Sequence, residues 1–444
     1  MCSYSVIILA AGNGSRLKSS TPKVLHKVGG LALLDHVIRS AKGIDSKEII
    51  VVTKPDFAIE QLKYADGVVK AVQDVQKGTA HAVQCGLSAL NSKQNGENDE
   101  WVYVLYADIP LVTSETLLEM QKVANTCEKT AVVVLAMDSS GAKNLGKLEA
   151  AEEKGTIKSI VEAKDAQNST AKLLPLCNCG LLIKRSLLDR FIGTIKPSAV
   201  TNEFYITELV KIAYENGYVC HYYEADAREL SGANTLSEMA ALERNFQDMM
   251  REKVMANGVK LIAPETVFFS YDTEIEPDVV IQPFVVFYEG VHINSGANIG
   301  PFCVVEGAQI GTAQVGPFSR LRPGAEINDG VKIGNFVEIK KSVVSEGAKV
   351  NHLTYIGDSF VGKNTNIGAG TITCNYDGVH KHKTHIGENV FVGSNSALVA
   401  PVEIGDNATI GAGSVITGNV QENALAVARG RQRNIDDWKS KARK

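Results

Sequence analysis

Three stretches of this 444-residue sequence concentrate side chains able to do chemistry. The first is Leu9-Ala10-Ala11-Gly12-Asn13-Gly14-Ser15-Arg16-Leu17, followed by Pro22-Lys23, directly behind an apolar run at Val6–Leu9. Small residues let backbone N–H groups approach a phosphate or a base, and Arg16 and Lys23 carry charge that would neutralise it. The stretch is not a P-loop, and Leu17 stands where a dinucleotide fingerprint needs its third glycine. The second stretch, Tyr106-Ala107-Asp108-Ile109-Pro110, also follows an apolar run. A carboxylate at the end of such a run suits Mg²⁺, which prefers hard oxygen ligands shared with substrate phosphates. The third is dispersed: Arg320–Gly324, Asn335–Lys341, His352–Asp358, and Asn366–Gly370 through Cys374–Gly378. Within it His352 is a candidate base, because imidazole titrates at about pH 6.5. The cluster His380-x-His382-x-x-His385 has metal-like spacing, but Lys381 and Lys383 between its members would repel a further cation.

Residues 1–230 alternate short β-branched runs with helical patterns. Runs at Val6–Leu9, Glu48–Thr53, Val68–Val72, Trp101–Tyr106, Ala131–Met137 and Gly180–Ile183 predict buried strands of a largely parallel α/β sheet. Ligands of such sheets sit beyond the carboxyl ends of the strands, where the first two stretches fall. From Asn234 to Asn257 apolar residues recur at three- and four-residue steps, which predicts one helix, capped by Asn234 and about 35 Å long. After it a six-residue period takes over: 275 to 305, then Val315 to Ile339, Val350-Ile356, Val361-Ile367, and Ile386 to Ile416. That period predicts a hexapeptide β-helix whose aliphatic position points inward. His352 falls outside the inward positions. Residues Thr373–His385 interrupt the period as a loop, and a basic tail begins at Arg429.

Glycine follows the same boundary, with 16 in residues 1–256 and 23 in residues 257–430. Eleven of the latter directly follow Ile or Val, where the coil is expected to bend. The domains read as 1–230, a linker helix at 231–257, and 258–444. A net charge of −4 argues against nucleic acid as a partner. Apolar stretches reach about seven residues where a spanning helix needs roughly 20, and no basic leader opens the chain. A cytoplasmic protein that avoids membranes and keeps its eight scattered cysteines reduced is expected.

The first stretch, with Pro22-Lys23-Val24-Leu25, Gln73, Gly78-Thr79-Ala80-His81, Tyr106–Pro110, Gly146, Glu162, Asn178-x-Gly180 and Gly232-Ala233-Asn234, resembles the sugar-1-phosphate nucleotidyltransferases. Joined to the motifs of the third stretch, nearly all of residues 4–430 resembles the bacterial bifunctional N-acetylglucosamine-1-phosphate uridylyltransferase/glucosamine-1-phosphate N-acetyltransferases. That resemblance implies a Rossmann-like nucleotidyltransferase domain and a left-handed β-helix that assembles as a homotrimer. It implies acetyl transfer from acetyl-CoA to glucosamine 1-phosphate, then uridylyl transfer from UTP to N-acetylglucosamine 1-phosphate.

In the uridylyltransferase half it implies nucleotide and sugar contacts at Leu9, Ala10, Ala11, Gly12, Arg16 and Lys23. It adds Gln73, Gly78 and Thr79 at the uracil, then Tyr106, Ala107, Gly146, Glu162 and Asn178. Asp108 and Asn234 would ligate Mg²⁺. In the acetyltransferase half His352 would be the base, and Arg322 and Lys340 would hold the sugar phosphate. Tyr355, Asn366 and Asn375 would place the sugar. Ala369, Asn375, Tyr376, Ser394, Ala412 and Arg429 would contact acetyl-CoA, and the basic tail could help with its phosphates. The chain departs from the family pattern at Ala107, where Gly is usual, at Lys147 and at Cys179. A glycine that needs φ > 0 at 107 would leave Ala107 strained by about 1–2 kcal/mol. The alternative is a single-function nucleotidyltransferase whose β-helix only oligomerises or regulates.

Overall fold

The computed structural model describes residues 3–12, 14–90, 100–141, 145–164 and 172–438. In the first part of the chain the apolar runs form β1 (Ser3–Leu9), the small hairpin β2 (Lys27–Val28) and β3 (Leu31–Ala32), β4 (Glu48–Thr53), β5 (Val68–Val72) and β6 (Glu100–Tyr106). They continue as β7 (Thr130–Asp138), β8 (Lys147–Ala150), β9 (Ile157–Val161), β10 (Leu173–Lys184) and β11 (Val219–Glu224). The main sheet runs β11-β7-β10-β6-β1-β4-β5. Only β10 is antiparallel to its neighbours along this path, and the β8–β9 hairpin hangs from it. The hairpin and β11 escape sequence reading because polar residues interrupt their apolar pattern.

Helices α1 (Leu33–Lys42) and α3 (Ser114–Ala124) pack Leu34, Val37, Leu117 and Met120 against one face of the sheet. Helices α2 (Thr79–Ala89), α4 (Arg185–Phe191) and α5 (Glu208–Glu215) cover the other face with Val83, Leu188 and Leu209. Each such side chain contributes roughly 1.5–3 kcal/mol by leaving water.

Helix α6 covers Leu236–Ala256. Its cap is Thr235, not Asn234: the Glu238 amide donates to Thr235 Oγ1 (3.2 Å), and Glu238 Oε2 accepts from the amides of Thr235 and Asn234. This capping box satisfies the helix N-terminus and leaves the Asn234 side chain available. Two compact units, Met1–Phe246 and Gln247–Lys444, divide inside this helix. In the first unit Phe246 fills the space a Cβ would need at Gly29, whose φ is +54°, and Glu243 accepts from the Gly29 amide at 2.8 Å. In the second unit Gln247 brackets the Phe269 backbone, donating to its carbonyl and accepting from its amide, each at 2.8 Å.

The second unit is a parallel β-helix. Three sheets, of ten, eight and eight short strands, form its walls. The inward positions pair directly from coil to coil, as in Ile281-Ile299-Val315-Ile333-Val350-Ile367. All of these are buried in one continuous cluster running from Val254 to Ile416; Ile275, in the coil nearest the start, packs against it half-buried. Ile367 pairs with Val392, 25 residues on, whereas Val392 pairs with Ile410, 18 on. The excess is the predicted loop, a small hairpin closed by Tyr376 and Lys381.

The glycines that follow aliphatic residues have a cause other than the expected bend. Of those eleven only Gly316 has a positive φ. At most of the others the next coil comes too close for a side chain, as at Gly334, where a Cβ would stand 1.9 Å from the Asn351 carbonyl oxygen; at Gly357 the Tyr355 side chain fills the space instead. The tight corners are made instead by residues in the left-handed region, and many of these are not glycine. One column of corners reads Phe284, Phe302, Phe318, Phe336 and Leu353, then Gly370, Asn395 and Gly413. The four phenyl rings stack at 4.9–5.2 Å between centroids and stay about half exposed. A left-handed L-residue costs about 1–2 kcal/mol, and each stacked pair returns about 0.5–1.5 kcal/mol.

Gly334→Ala is expected to destabilise the second unit by at least about 1–3 kcal/mol, as overpacking does, whereas Gly418→Ala, in open space, is expected to be neutral. Thermal unfolding of the two variants beside the parent protein checks this.

Candidate active sites

In the first unit, parallel pairing of β1 with β6 sets Leu9 beside Tyr106, so the residues that follow each strand emerge together at the sheet's carboxyl edge. The Ala107 amide donates to the Leu9 carbonyl at 3.1 Å. Ala107 is buried and is not among the residues with positive φ, so the strain expected there does not arise and its methyl packs in the core. A cavity of about 280 Å³ opens above, lined by Leu9–Gly12, Lys23, Gln73, Gly78, Thr79 and Tyr106–Asp108. Gly78 is required here: its φ is +112°, and a Cβ would stand 2.5 Å from the Phe204 carbonyl oxygen. Gln73 is buried and donates to the Gly78 carbonyl at 3.1 Å.

A second cavity of about 520 Å³ shares Thr79, Tyr106 and Asp108 with the first and adds Gly146, Glu162, Asn178 and Asn234. Asn178 donates to the Tyr106 hydroxyl at 3.3 Å, and burial pushes that phenol far above its usual range, so it stays protonated. Gly146 leaves room for Ile160, whose Cγ2 would stand 2.8 Å from a Cβ there, and the nearby Glu162 carboxylate accepts from Thr207 Oγ1 at 2.6 Å. Lys147 opens β8 beside them, and Cys179 is buried in β10. All the sequence-predicted residues of this half except Arg16 line one or both cavities, and Arg16 reaches them through Asn234. Asn13 lies outside the described residues.

Where the cavities meet, Lys23 Nζ donates to Asp108 Oδ2 at 2.6 Å and to Asn234 Oδ1 at 2.7 Å. Arg16 Nη2 donates to the same Asn234 oxygen at 2.9 Å. A carboxylate and an amide oxygen that converge on one cation are the donor set a hard divalent ion takes. Glu203, Gln76, Tyr205 and Thr207 also belong to this site and were not anticipated. Glu203, Tyr205 and Thr207 lie away from strand ends and glycine turns, so no local signal marks them, whereas Gln76 sits between the end of β5 and Gly78, where it could have been found.

In the second unit, stacked coils set Asn335 beside His352. His352 is exposed, and its Nδ1 lies 2.9 Å from Asn335 Oδ1. An amide oxygen only accepts, so with the amide in this orientation Nδ1 carries the proton and Nε2 presents a lone pair. Arg322 donates to Glu338 at 2.8 Å, and Tyr355 stacks one coil above Glu338. Lys340 stands beside Lys381, which, with Arg322 further off, depresses its pKa. Lys381, noticed in the sequence only as a neighbour of the histidines, thus joins Lys340 and Arg322 as the third cation of one cluster.

The loop is fixed by Asp377. Amides of His380 and Val379 and the His382 ring all bond its carboxylate, and together they hold its pKa down to about 2. His385 stacks on Phe360 at 4.8 Å. Among the described residues no group of three His, Cys, Asp or Glu is arranged to hold a metal. Asn375 donates to Asp358, and Tyr376 is exposed.

Most of the expected acetyl-transfer residues flank one wall. His352, which ends a strand of the preceding wall, and, in later coils, Ala369, Ser394 and Ala412 come before its strands; Lys340 ends one of them, and Arg322 and Asn375 follow others. Asn366 lies on the adjoining wall. Arg429 donates to the Ala412 carbonyl at 2.6 Å. Lys439, Lys441, Arg443 and Lys444 of the basic tail lie outside the described residues, as does Cys2. The seven described cysteines are all free thiols.

The "MobA-like NTP transferase domain" family matches residues 6–177, and the "Bacterial transferase hexapeptide (six repeats)" family matches residues 272–307 and 383–418. Residues 311–399 match the "GMPPB C-terminal domain". Full-length relatives are similar throughout. A "Bifunctional protein GlmU" of Zymomonas mobilis is 44% identical over 99% of this chain and 97% of that protein. Its namesake in Paramagnetospirillum magneticum is 44% identical over 99% and 96%, and that of Sphingopyxis alaskensis 42% over 98% and 95%. The β-helix is therefore the left-handed hexapeptide kind.

With selective ¹⁵N-histidine labelling, His352 is expected to show a protonated Nδ1 and a bare Nε2, and Asn335→Ala to move the ring toward the opposite tautomer. A wild-type ring already protonated at Nε2 would contradict the geometry.

Proposed function

The chain belongs to the GlmU family of bifunctional proteins, and from that membership we propose how its residues divide two reactions. It is a bifunctional enzyme that makes UDP-N-acetylglucosamine, a precursor of bacterial envelope polymers. The hexapeptide unit transfers acetyl from acetyl-CoA to glucosamine 1-phosphate. The nucleotidyltransferase unit then joins N-acetylglucosamine 1-phosphate to UTP and releases pyrophosphate, chemistry that calls for a divalent metal.

For acetyl transfer, His352 Nε2 takes the proton from the sugar amine as its nitrogen attacks the thioester carbonyl; the C–S bond breaks and CoA leaves. Arg322, Lys340 and Lys381 hold the sugar phosphate, with Tyr355, Asn366 and Asn375 placing the ring. Ala369, Tyr376, Ser394, Ala412 and Arg429 line the path of acetyl-CoA. For uridylyl transfer, a phosphate oxygen of the sugar attacks the α-phosphorus of UTP in line. This step needs positioning and charge neutralisation above all. Lys23 and Arg16 bear on the phosphates, Gln73, Gly78 and Thr79 on the uracil, and Glu162, Asn178 and Gly146 on the sugar. Asp108 and Asn234 would hold Mg²⁺, which would supply divalent charge to neutralise the phosphates.

One observation carries the division of labour: each unit by itself contains a full set of chemistry-bearing groups. The first has two oxygens converging on a cation under a small-residue loop, and the second an oriented imidazole and three cations.

The working form is a homotrimer in the cytoplasm, where acetyl-CoA and UTP are made. No described helix is long and apolar enough to cross a membrane. Two features support assembly. The stacked phenylalanines form an exposed apolar edge of the kind that other protein surfaces cover. His352 and the cations flank a wall whose three-residue strand spans about 10 Å at 3.3 Å per residue. The amine and phosphate of the substrate sit on neighbouring carbons, so the base of one copy is best matched to the cations of another.

Asp108→Ala is expected to abolish pyrophosphate release and spare thiol release, and His352→Ala to do the reverse, when thiol is followed with glucosamine 1-phosphate and acetyl-CoA and pyrophosphate is followed with N-acetylglucosamine 1-phosphate and UTP supplied directly. A His352→Ala protein with intact thiol release would favour the single-function alternative. The double change Phe318→Glu, Phe336→Glu is expected to give monomers by analytical ultracentrifugation and to lower thiol release at least tenfold while pyrophosphate release continues.

A further inference from the structure

Lys23 occupies the place between Asp108 and Asn234 that a divalent ion would take. Its ammonium touches both oxygens, at 2.6 and 2.7 Å, and its side chain is only 9% exposed. The contact is built in from three sides. Gly14, at φ +60°, lets the loop close over Lys23: a Cβ there would stand 2.7 Å from the lysine's own Cβ. Thr235 and Glu238 cap helix α6, which leaves the Asn234 side chain to face the lysine. Arg16 adds a second cation on the same amide oxygen.

We propose that Lys23 is a tethered cation that guards the metal ligands of the nucleotidyltransferase site and yields them only when nucleotide phosphates draw its ammonium away. The inference rests on Asp108 and Asn234 being the metal ligands, as set out above. An ammonium and a divalent ion cannot share the same two oxygens at these distances. A metal arriving alone must expel Lys23 into the cavity with no new partner and must bind beside Arg16 as well. A triphosphate lodged against Ala10–Gly12 changes that balance, because its oxygens accept from both displaced cations while the metal takes Asp108 and Asn234. Metal and nucleotide are thereby coupled through the protein, in addition to any direct contact between them, and the coupling acts equally in both directions. Until then Lys23 keeps a carboxylate and an amide, from residues 108 and 234, in mutual register, so the ligand pair is preformed.

Free Mn²⁺, counted by its electron paramagnetic resonance signal, tests this on the full-length protein without nucleotide. Lys23→Met removes the charge and keeps the bulk, and it is expected to bind Mn²⁺ at least tenfold more tightly than the parent. Lys23→Arg is expected to stay as weak as the parent, and UTP without sugar phosphate is expected to tighten Mn²⁺ binding less in Lys23→Met than in the parent. Thiol release by the second unit reports that each variant is folded there, and the thermal transition of the first unit reports the same for the other. Unchanged or weaker Mn²⁺ binding by Lys23→Met, with Asp108→Ala losing the ion, would overturn the tethered-cation inference alone. Asp108→Ala binding Mn²⁺ like the parent would instead overturn the assignment of the metal ligands.

Discussion

Parallel strand pairing, residue against residue, governs where the reactive groups of this protein sit. In the first unit the β1–β6 register carries Leu9 to Tyr106, so that two segments nearly a hundred residues apart leave the sheet at one edge. In the second, the same kind of pairing places Asn335 under His352 and Glu338 under Tyr355. Neighbouring strands stand about 4.8 Å apart, a spacing at which side chains from successive strands reach one another without bending the backbone. A one-residue slip in pairing would disturb chemistry and core together, because it would turn the inward aliphatic residues away from the column and part His352 from Asn335.

Charge completes what pairing begins. The first unit sets cations and oxygens in direct contact, with Lys23 and Arg16 on Asp108 and Asn234. The second sets like charges side by side, and the lowered pKa of Lys340 records the repulsion from Lys381 and Arg322. Both arrangements are suited to ligands that bring negative charge, since a phosphate relieves the crowding of cations in one unit and replaces the carboxylate's hold on them in the other.

The sequence made the architecture legible because its periods are physical: strands bury β-branched runs, and a coil that closes in three turns repeats its inward residue every six. The motif residues were legible for a related reason, since small residues behind a strand leave backbone exposed to ligands. What escaped was relational. Thr207 matters through Glu162, Asn335 through His352 and Lys381 through Lys340, and none of these pairs is close in sequence. Asn234 reads as a helix cap until Glu238 is seen bonding to Thr235, which frees the amide for other use. The glycines after Ile and Val were visible, but their reason lay in the coil stacked against them, as at Gly334 and Asn351.

The left-handed corner column has a meaning of its own. The core does not fill this position, so its occupant is free to vary along the edge. Phenylalanine and leucine hold it for five coils, then glycine, asparagine and glycine, beginning at the coil after His352. A single edge is thus written in two scripts, one bulky and adhesive, the other bare enough for a long thin molecule to lie along it. Because a repeat adds one character at a time, such an edge could lengthen its adhesive passage or its bare one independently, by duplicating a coil, without redrafting the fold.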